Sequence, residues 1–215
     1  MTVSLISHEG LDQLIATYGY LAVAVGVGLE SMGLPLPGET ILVLAAIYAG
    51  GHADLNIWLV GLAAALGAIA GDNIGYWLGM RYGYPLLRRF GWYAGLSDRR
   101  IKVGQYLFLR HGRKVVFLGR FVALLRILAA FLAGVNRMRW PDFMLANALG
   151  GVVWAGVFAL GGYTLGTIIF RLEGMLAPVV FVAACAVFFG CGYLFVKIED
   201  DLQEKAERAL PGPLR

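Results

Sequence analysis

The sequence predicts an all-α membrane protein that crosses the bilayer several times. Hydrophobic residues make up 59% of its 215 residues and charged residues only 15%, against roughly 25% charged in soluble domains. The mean hydropathy is +0.71, and a soluble chain of this length could not bury so much apolar surface. The 30 glycines suit helices that pack closely in lipid. This composition excludes a disordered chain, a disulfide scaffold and an ordinary cytosolic enzyme.

The charged residues are distributed unevenly along the chain. Residues 1–80 contain six acidic residues and no lysine or arginine, so all 18 bases lie in residues 81–215. These bases fall mostly between apolar stretches, which favours membrane orientation by the positive-inside rule over binding to nucleic acid. We therefore expect the basic connection 81–114 and the C-terminal tail to face the cytoplasm.

The first predicted repeat, residues 15–80, begins with a segment that cannot form one continuous helix. It follows residues 1–14, whose mixture of leucines and polar residues predicts an amphipathic helix on the membrane surface. Apolar residues run on to Glu30, and two prolines and two glycines follow before Glu39. The next apolar stretch is too short to cross a bilayer alone, so we predict a broken or re-entrant hairpin with both acids near its turn.

A long helix over residues 55–80 completes the first repeat. It carries a stripe of glycines at four-residue spacing: Gly67, Gly71, Gly75 and Gly79. Residues four apart share one helix face, so the stripe predicts close contact with the backbone of a neighbouring helix.

The second repeat, residues 115–170, has the same order of parts. Residues 115–136 are apolar except for Arg120 and Arg126 and predict a second hairpin, and residues 143–170 predict a long span. The remaining predicted segments are a last transmembrane helix over 174–196 and a charged cytoplasmic tail over 197–215.

The parity of the crossings predicts that the two repeats have opposite orientations. With the connection and the tail both cytoplasmic, the two last spans return the chain to one side, so residues 115–136 must enter and leave from the cytoplasmic face. The first hairpin then enters from the outer face. An inverted repeat of two opposed re-entrant hairpins, each followed by a long glycine-rich helix, is typical of secondary transporters.

Four charged side chains are predicted to lie within the bilayer: Glu30, Glu39, Arg120 and Arg126. Each costs about 2.5–3.5 kcal/mol at a helix centre, so these groups need partners or water. We expect the two arginines to bind a phosphate through their planar forks and the two acids to exchange protons. Ion pairs that only hold the hairpins together are the alternative, and the two interpretations are compatible.

Three further residues are candidates for the same site. Asp72 either completes the site or caps a hairpin end, whereas Pro35 and Pro37 break the first hairpin and free carbonyls that are expected to line a cavity. Four aromatic residues are assigned to interface anchoring or packing: Tyr76, Trp77, Trp140 and Trp154.

No metal site, cofactor or enzymatic activity is predicted. The three histidines, His8, His52 and His111, are scattered along the chain. No nucleophile elbow, P-loop or metal-binding helix motif occurs in the sequence.

The order of these motifs resembles the DedA family of bacterial inner-membrane proteins, which is related to eukaryotic lipid scramblases with the VTT domain. The sequences that carry the resemblance are Glu30-Ser-Met-Gly33, Leu36-Pro-Gly-Glu39, Gly71-Asp-Asn-Ile-Gly75-Tyr-Trp-Leu-Gly79 and Gly119-Arg-Phe121, followed by Arg126 and Ala133-Gly134. The resemblance covers about residues 15–170. It implies opposed re-entrant hairpins and transport of undecaprenyl phosphate or glycerophospholipids, with dependence on the proton-motive force in several members.

The resemblance also carries residue roles. The family's essential acids fall on Glu30 and Glu39, and its essential arginines on Arg120 and Arg126. Two prolines that are usual in the family are replaced here, at Ala123 and Ala130. This departure predicts a straighter or more helical second hairpin and a different substrate.

We therefore expect a multi-pass protein of the bacterial inner membrane, with a cytoplasmic C-terminus, that moves an anionic lipid phosphate together with protons. Its expected partners are that lipid, protons and anionic membrane lipids, and a homo-oligomer stays open. Two alternatives are an ion or drug/proton antiporter and a structural membrane protein that supports envelope assembly or division.

Overall fold

A computed structural model describes residues 8–34, 36–52, 54–90 and 98–171, together with residue 209 alone. Every regular element in these residues is helical. The elements are α1 (His8–Ser31), α2 (Gly38–Gly51), α3 (Ile57–Phe90), α4 (Asp98–His111), α5 (Arg113–Leu118), a 3-10 turn (Gly119–Phe121), α6 (Ala123–Val135) and α7 (Trp140–Arg171). The predicted last span 174–196 and nearly all of the predicted tail 197–215 lie outside the described residues, as do residues 1–7 and Pro35.

The first of the two broken segments consists of α1 and α2. The chain leaves the helical conformation after Ser31, passes through Gly33 at φ 108°, and resumes a helix at Gly38. Glycine is suited to this positive φ because it has no Cβ. α1 runs without interruption across the boundary predicted at residue 14, and it contains no proline.

The second broken segment consists of α5, the 3-10 turn and α6. Val122 is extended, with φ −121° and ψ 110°, so the helical path breaks one residue before Ala123 without the help of a proline. From Ala123 onward α6 is a regular helix that passes through Ala130. α6 is therefore a regular helix, as the two alanines predict, but the chain is still broken before it, at Val122.

Two of the described helices are long and apolar enough to span a bilayer, over Ile57–Gly83 and Trp140–Ile169. α3 continues beyond its predicted end at residue 80 to Phe90, with a kink at Gly83 (φ 61°, ψ −158°). Its last turns therefore belong to the segment predicted as a polar connection. The kink is possible because glycine tolerates this left-handed φ.

Contacts between the two halves follow a matched pattern. α1 packs on α3 and α5 packs on α7, whereas α2 packs on α7 and α6 packs on α3. Gly50 of α2 lies against the Tyr163 carbonyl of α7, and Gly134 of α6 lies against the Tyr76 carbonyl of α3. Each broken segment thus contacts its own long helix with its first helix and the other long helix with its second.

The glycine stripe of α3 lies in these close contacts. A Cβ at Gly67 or Gly71 would stand 2.1 Å from a backbone carbonyl oxygen of α1, and a Cβ at Gly79 would stand 2.1 Å from the Phe131 oxygen of α6. Gly75 differs, because its nearest contact is the Ala130 Cβ at 3.7 Å. The predicted close approach of backbones is therefore confirmed at three of the four positions.

This difference gives a test of the packing. Gly79→Ala should lower the free energy of unfolding in detergent by at least about 2 kcal/mol, because α6 must move away from the added methyl group. Gly75→Ala should leave it unchanged or raise it by up to about 1 kcal/mol, because alanine favours the helix and the space is sufficient. Equal effects of the two substitutions would contradict the observed register of α3 against α6.

Candidate functional site

One ion cluster joins the two broken segments. It contains Glu30 in the last turn of α1, Glu39 in the first turn of α2 and Arg126 in the first turn of α6. Arg126 Nη2 donates to Glu30 Oε1 at 2.6 Å, and Arg126 Nη1 donates to Glu39 Oε2. All three side chains are mostly buried. The two arms of one guanidinium fork are thus each occupied by a different carboxylate.

Glu30 has a second role in the same cluster. Its other oxygen, Oε2, accepts the backbone N–H of Glu39 at 2.8 Å. This N–H lies in the first turn of α2, where backbone donors have no partner within the helix. The Glu30 carboxylate therefore caps α2 and holds the two ends of the break together while it binds Arg126.

A second ion cluster lies on the 3-10 turn. The Arg120 side chain is almost fully buried, and its Nη2 donates to the Ala68 carbonyl at 3.3 Å, to Asn147 Oδ1 at 2.5 Å and to Asp72. Asn147 Nδ2 in turn donates to the Ile69 carbonyl at 3.2 Å. Arg120 therefore connects the turn to both long helices, α3 and α7.

The two arginines have different carboxylate partners. Arg126 binds both Glu30 and Glu39, whereas Arg120 binds Asp72. The reason is local geometry: the extended Val122 separates the 3-10 turn from α6 and directs the two arginines to different helices. Asp72, whose role the sequence left open, is a direct ion-pair partner.

Pro37 lies at the break, as expected. It stands directly before α2, and its own carbonyl accepts the Ile41 N–H at 3.0 Å as the first bond of that helix. As a proline it has no N–H to donate to an earlier carbonyl. Pro35, its predicted companion, lies outside the described residues.

Among the described residues, the buried side-chain atoms without a hydrogen-bond partner belong to these two clusters or lie beside them. They are Asp72 Oδ1, Arg120 Nε, Arg126 Nε and Trp154 Nε1. Three of the four are N–H donors. Buried polar groups in native proteins are nearly always paired, and exceptions concentrate where a ligand or water binds. The region is therefore short of hydrogen-bond acceptors.

Trp154 and Asn147 are site residues that sequence reasoning missed. Trp154 is 2% exposed, and the Arg126 guanidinium carbon lies 6.0 Å from the centroid of its ring. Nothing in the sequence distinguishes this tryptophan from a packing residue. Asn147 did give a signal, because it is an amide side chain in an otherwise apolar span, where polar groups need a partner.

Of the other three aromatic residues, Tyr76 has the packing role expected of it. Tyr76 is buried, stacks on Phe143 with ring centroids 4.5 Å apart, and donates its hydroxyl to the Met138 carbonyl at 2.6 Å. Trp77 and Trp140 are exposed on the outside of the helices. Within the described residues, no group of three or more His, Cys, Asp or Glu side chains is placed to bind a metal ion.

Comparison with known proteins identifies the fold family. The family model described as the VTT domain matches residues 36–164. Protein DedA of Escherichia coli is 30% identical over 166 residues, which cover 74% of this chain and 75% of DedA. The chain belongs to the DedA family.

Other relatives of this DedA-family protein are closer in sequence. An uncharacterized membrane protein of Synechocystis is 41% identical over 171 residues, which cover 80% of this chain and 78% of the relative. An uncharacterized membrane protein of Mycobacterium tuberculosis is 46% identical over 141 residues, which cover 64% of each chain. No solved structure matches the chain.

The relatives support a membrane location for this DedA-family protein. They explain the large apolar side chains that α3 and α7 expose, such as Trp58 at 72% exposure, Leu62 and Val152. Such surfaces are stable in lipid and unfavourable in water. Both ion clusters lie within the family region except for Glu30, which precedes it by six residues.

Proposed function

We propose that this DedA-family protein transports a lipid with a phosphate head group across the bacterial inner membrane, coupled to protons. The observation that carries the proposal is the cluster of Glu30, Glu39 and Arg126, in which one guanidinium binds two carboxylates between two broken helices. A planar fork that binds two oxygens in this way also suits two oxygens of a phosphate.

Competition for the fork supports coupling. Both Nη atoms of Arg126 are bound to carboxylates, so a phosphate must displace at least one of them. A protonated carboxyl group releases the guanidinium easily, because the charge that held the pair is gone. Substrate binding and proton binding would therefore assist each other, which is reciprocal coupling between two ligands.

Charge balance supports the same coupling. The cluster has two carboxylates for one guanidinium, so it carries one excess negative charge when both acids are ionised. An anionic phosphate would add to that excess in a place where unpaired charge is costly. Uptake of a proton on Glu30 or Glu39 removes the excess negative charge of the cluster. Arg120 does not offset this excess, because its charge is already paired with Asp72.

The matched contacts of the two halves support alternating access. We infer that each broken segment is a re-entrant hairpin, that the two hairpins enter from opposite faces, and that the chain is multi-pass with a cytoplasmic C-terminus. Broken helices that meet near the midplane between two such halves are the usual position of a transporter's substrate site. A long lipid tail would stay in the bilayer while the head group crosses between the hairpins.

The re-entrant arrangement predicts that the C-terminal ends of α2 and α6 lie on opposite sides of the membrane. In a variant without Cys185 and Cys191, a cysteine placed at Gly51 should react with a membrane-impermeant thiol reagent from outside the cell. A cysteine placed at Asn136 should react only after the membrane is opened. Labelling of both positions from the same side would reject the re-entrant scheme.

Reconstituted vesicles test the function itself. Vesicles with undecaprenyl phosphate in both leaflets should lose the inner-leaflet pool to an external head-group reagent faster when they contain the protein, and faster still under a proton gradient. An ion or drug/proton antiporter predicts cation flux without any lipid movement. A structural role predicts no flux of either kind and tolerance of substitutions at Arg126.

A further inference from the structure

The indole of Trp154 is a buried hydrogen-bond donor with no acceptor. It is 2% exposed, and its Nε1 has no hydrogen-bond partner. An indole N–H can only donate, and a buried tryptophan normally finds an acceptor for it. The cost of leaving such a donor unpaired is about 1–3 kcal/mol. Phenylalanine or leucine would fill an apolar position without the cost of an unpaired donor.

The ring of Trp154 lies beside the predicted phosphate-binding cluster. The guanidinium carbon of Arg126 lies over the ring, 6.0 Å from its centroid, which is the outer limit of a cation–π contact. Arg126 itself has a buried Nε without a partner, because Glu30 and Glu39 occupy its two Nη atoms. Two neighbouring side chains thus offer N–H groups, and the local carboxylates do not satisfy them.

We propose that Trp154 is a substrate-binding residue whose indole N–H donates to a phosphate oxygen of the lipid head group held by Arg126. A phosphate has several acceptor oxygens in a tetrahedral arrangement, so it can accept from the indole and the guanidinium together. The ring would at the same time keep the guanidinium in place by lying beneath it. The inference rests on the proposed function, since it names a further ligand of the same head group.

Trp140 on the same helix provides a matched control. Its Nε1 already donates to Asn73 Oδ1 at 3.0 Å, and its side chain is exposed. Trp140→Phe therefore removes an indole N–H that has a partner within the protein. Trp154→Phe removes one that has none, while an aromatic ring stays against Arg126.

The direct test follows the indole N–H signals of the purified protein by NMR with 15N-labelled tryptophan. The chain has five tryptophans, and the signal missing from Trp154→Phe identifies Trp154. If that variant fails to insert, the four other single Trp→Phe variants identify the signal by elimination. Farnesyl phosphate should shift the Trp154 signal downfield, as a hydrogen bond to a charged oxygen does, whereas farnesol should leave it in place.

Binding measurements separate this inference from the function on which it rests. Trp154→Phe should weaken the binding of farnesyl phosphate about tenfold, as expected for loss of a hydrogen bond to a charged group, and Trp140→Phe should not change it. If the wild-type protein binds farnesyl phosphate but the Trp154 signal and the affinity of Trp154→Phe are unchanged, Trp154 is a packing residue and the inference is wrong. If the wild-type protein binds farnesyl phosphate no better than farnesol, the proposed function and the inference both fail.

Discussion

Arg126→Lys is expected to reduce transport of undecaprenyl phosphate by about 100-fold, nearly as far as Arg126→Ala. The lysine ammonium keeps the charge but has no planar fork, so it cannot bind two oxygens in the geometry that Arg126 offers to Glu30 and Glu39. Loss of one or two charge-assisted hydrogen bonds at about 1.5–3 kcal/mol each accounts for an effect of this size. The initial rate at which lipid head groups become accessible to an external reagent, in reconstituted vesicles, measures this reduction in transport.

The matched control is Arg113→Lys. Arg113 forms an ion pair with Asp142 at 3.3 Å, but its side chain is 66% exposed and the pair lies on the surface. Such pairs contribute little to stability, so the same chemical change should leave transport and insertion unchanged. Full activity of Arg126→Lys would mean that a positive charge alone is needed at that position. The guanidinium would then be a structural ion pair and not a phosphate ligand.

The broken segments could be predicted because their signals are local. Pro35 and Pro37 lack the backbone N–H that a helix interior needs, so the break before Gly38 is predicted by the residues next to it. The second break is predicted from the parity of the membrane crossings, and its position at Val122 carries no local signal. The uninterrupted course of α1 has no such signal, because polar residues near its start are equally typical of a separate surface helix.

The residues that form the site could be predicted in part. Charges in apolar segments need partners, and this rule identified both arginines and both acids of the hairpins. It does not say which acid binds which arginine. Arg120 and Asp72 are 48 residues apart in the chain, and their pairing depends on how the 3-10 turn meets α3 and α7.

Trp154 shows the limit of reasoning from residue types. A tryptophan in an apolar helix is most often a packing or interface residue, and nothing in its neighbours suggests a binding role. Only the three-dimensional contacts reveal that its ring lies under Arg126 and that its N–H has no acceptor. Functional residues of this kind are found by asking which buried donors lack partners.

Glu39→Gln should uncouple transport from the proton gradient while the protein still moves its lipid. The glutamine mimics a permanently protonated acid, and its amide oxygen can still accept from Arg126 Nη1. Glu30→Gln should have the same effect on coupling but a larger cost in stability. The substitution replaces one of the two accepting oxygens of Glu30 with an NH2 donor, so either Arg126 or the Glu39 backbone N–H loses its acceptor. Thermal unfolding in detergent measures that difference.

The steady-state distribution of the lipid decides whether the two acids couple transport to protons. For one proton moved with each lipid, a gradient of one pH unit should shift the wild-type distribution between leaflets about tenfold, since one pH unit is about 1.4 kcal/mol. In Glu39→Gln the distribution should no longer respond to the gradient, although exchange between leaflets continues. A gradient response that survives in both variants would remove the coupling role from Glu30 and Glu39. A wild-type distribution that never responds would identify a passive scramblase, in which the carboxylates serve only to hold Arg126 until a phosphate displaces them.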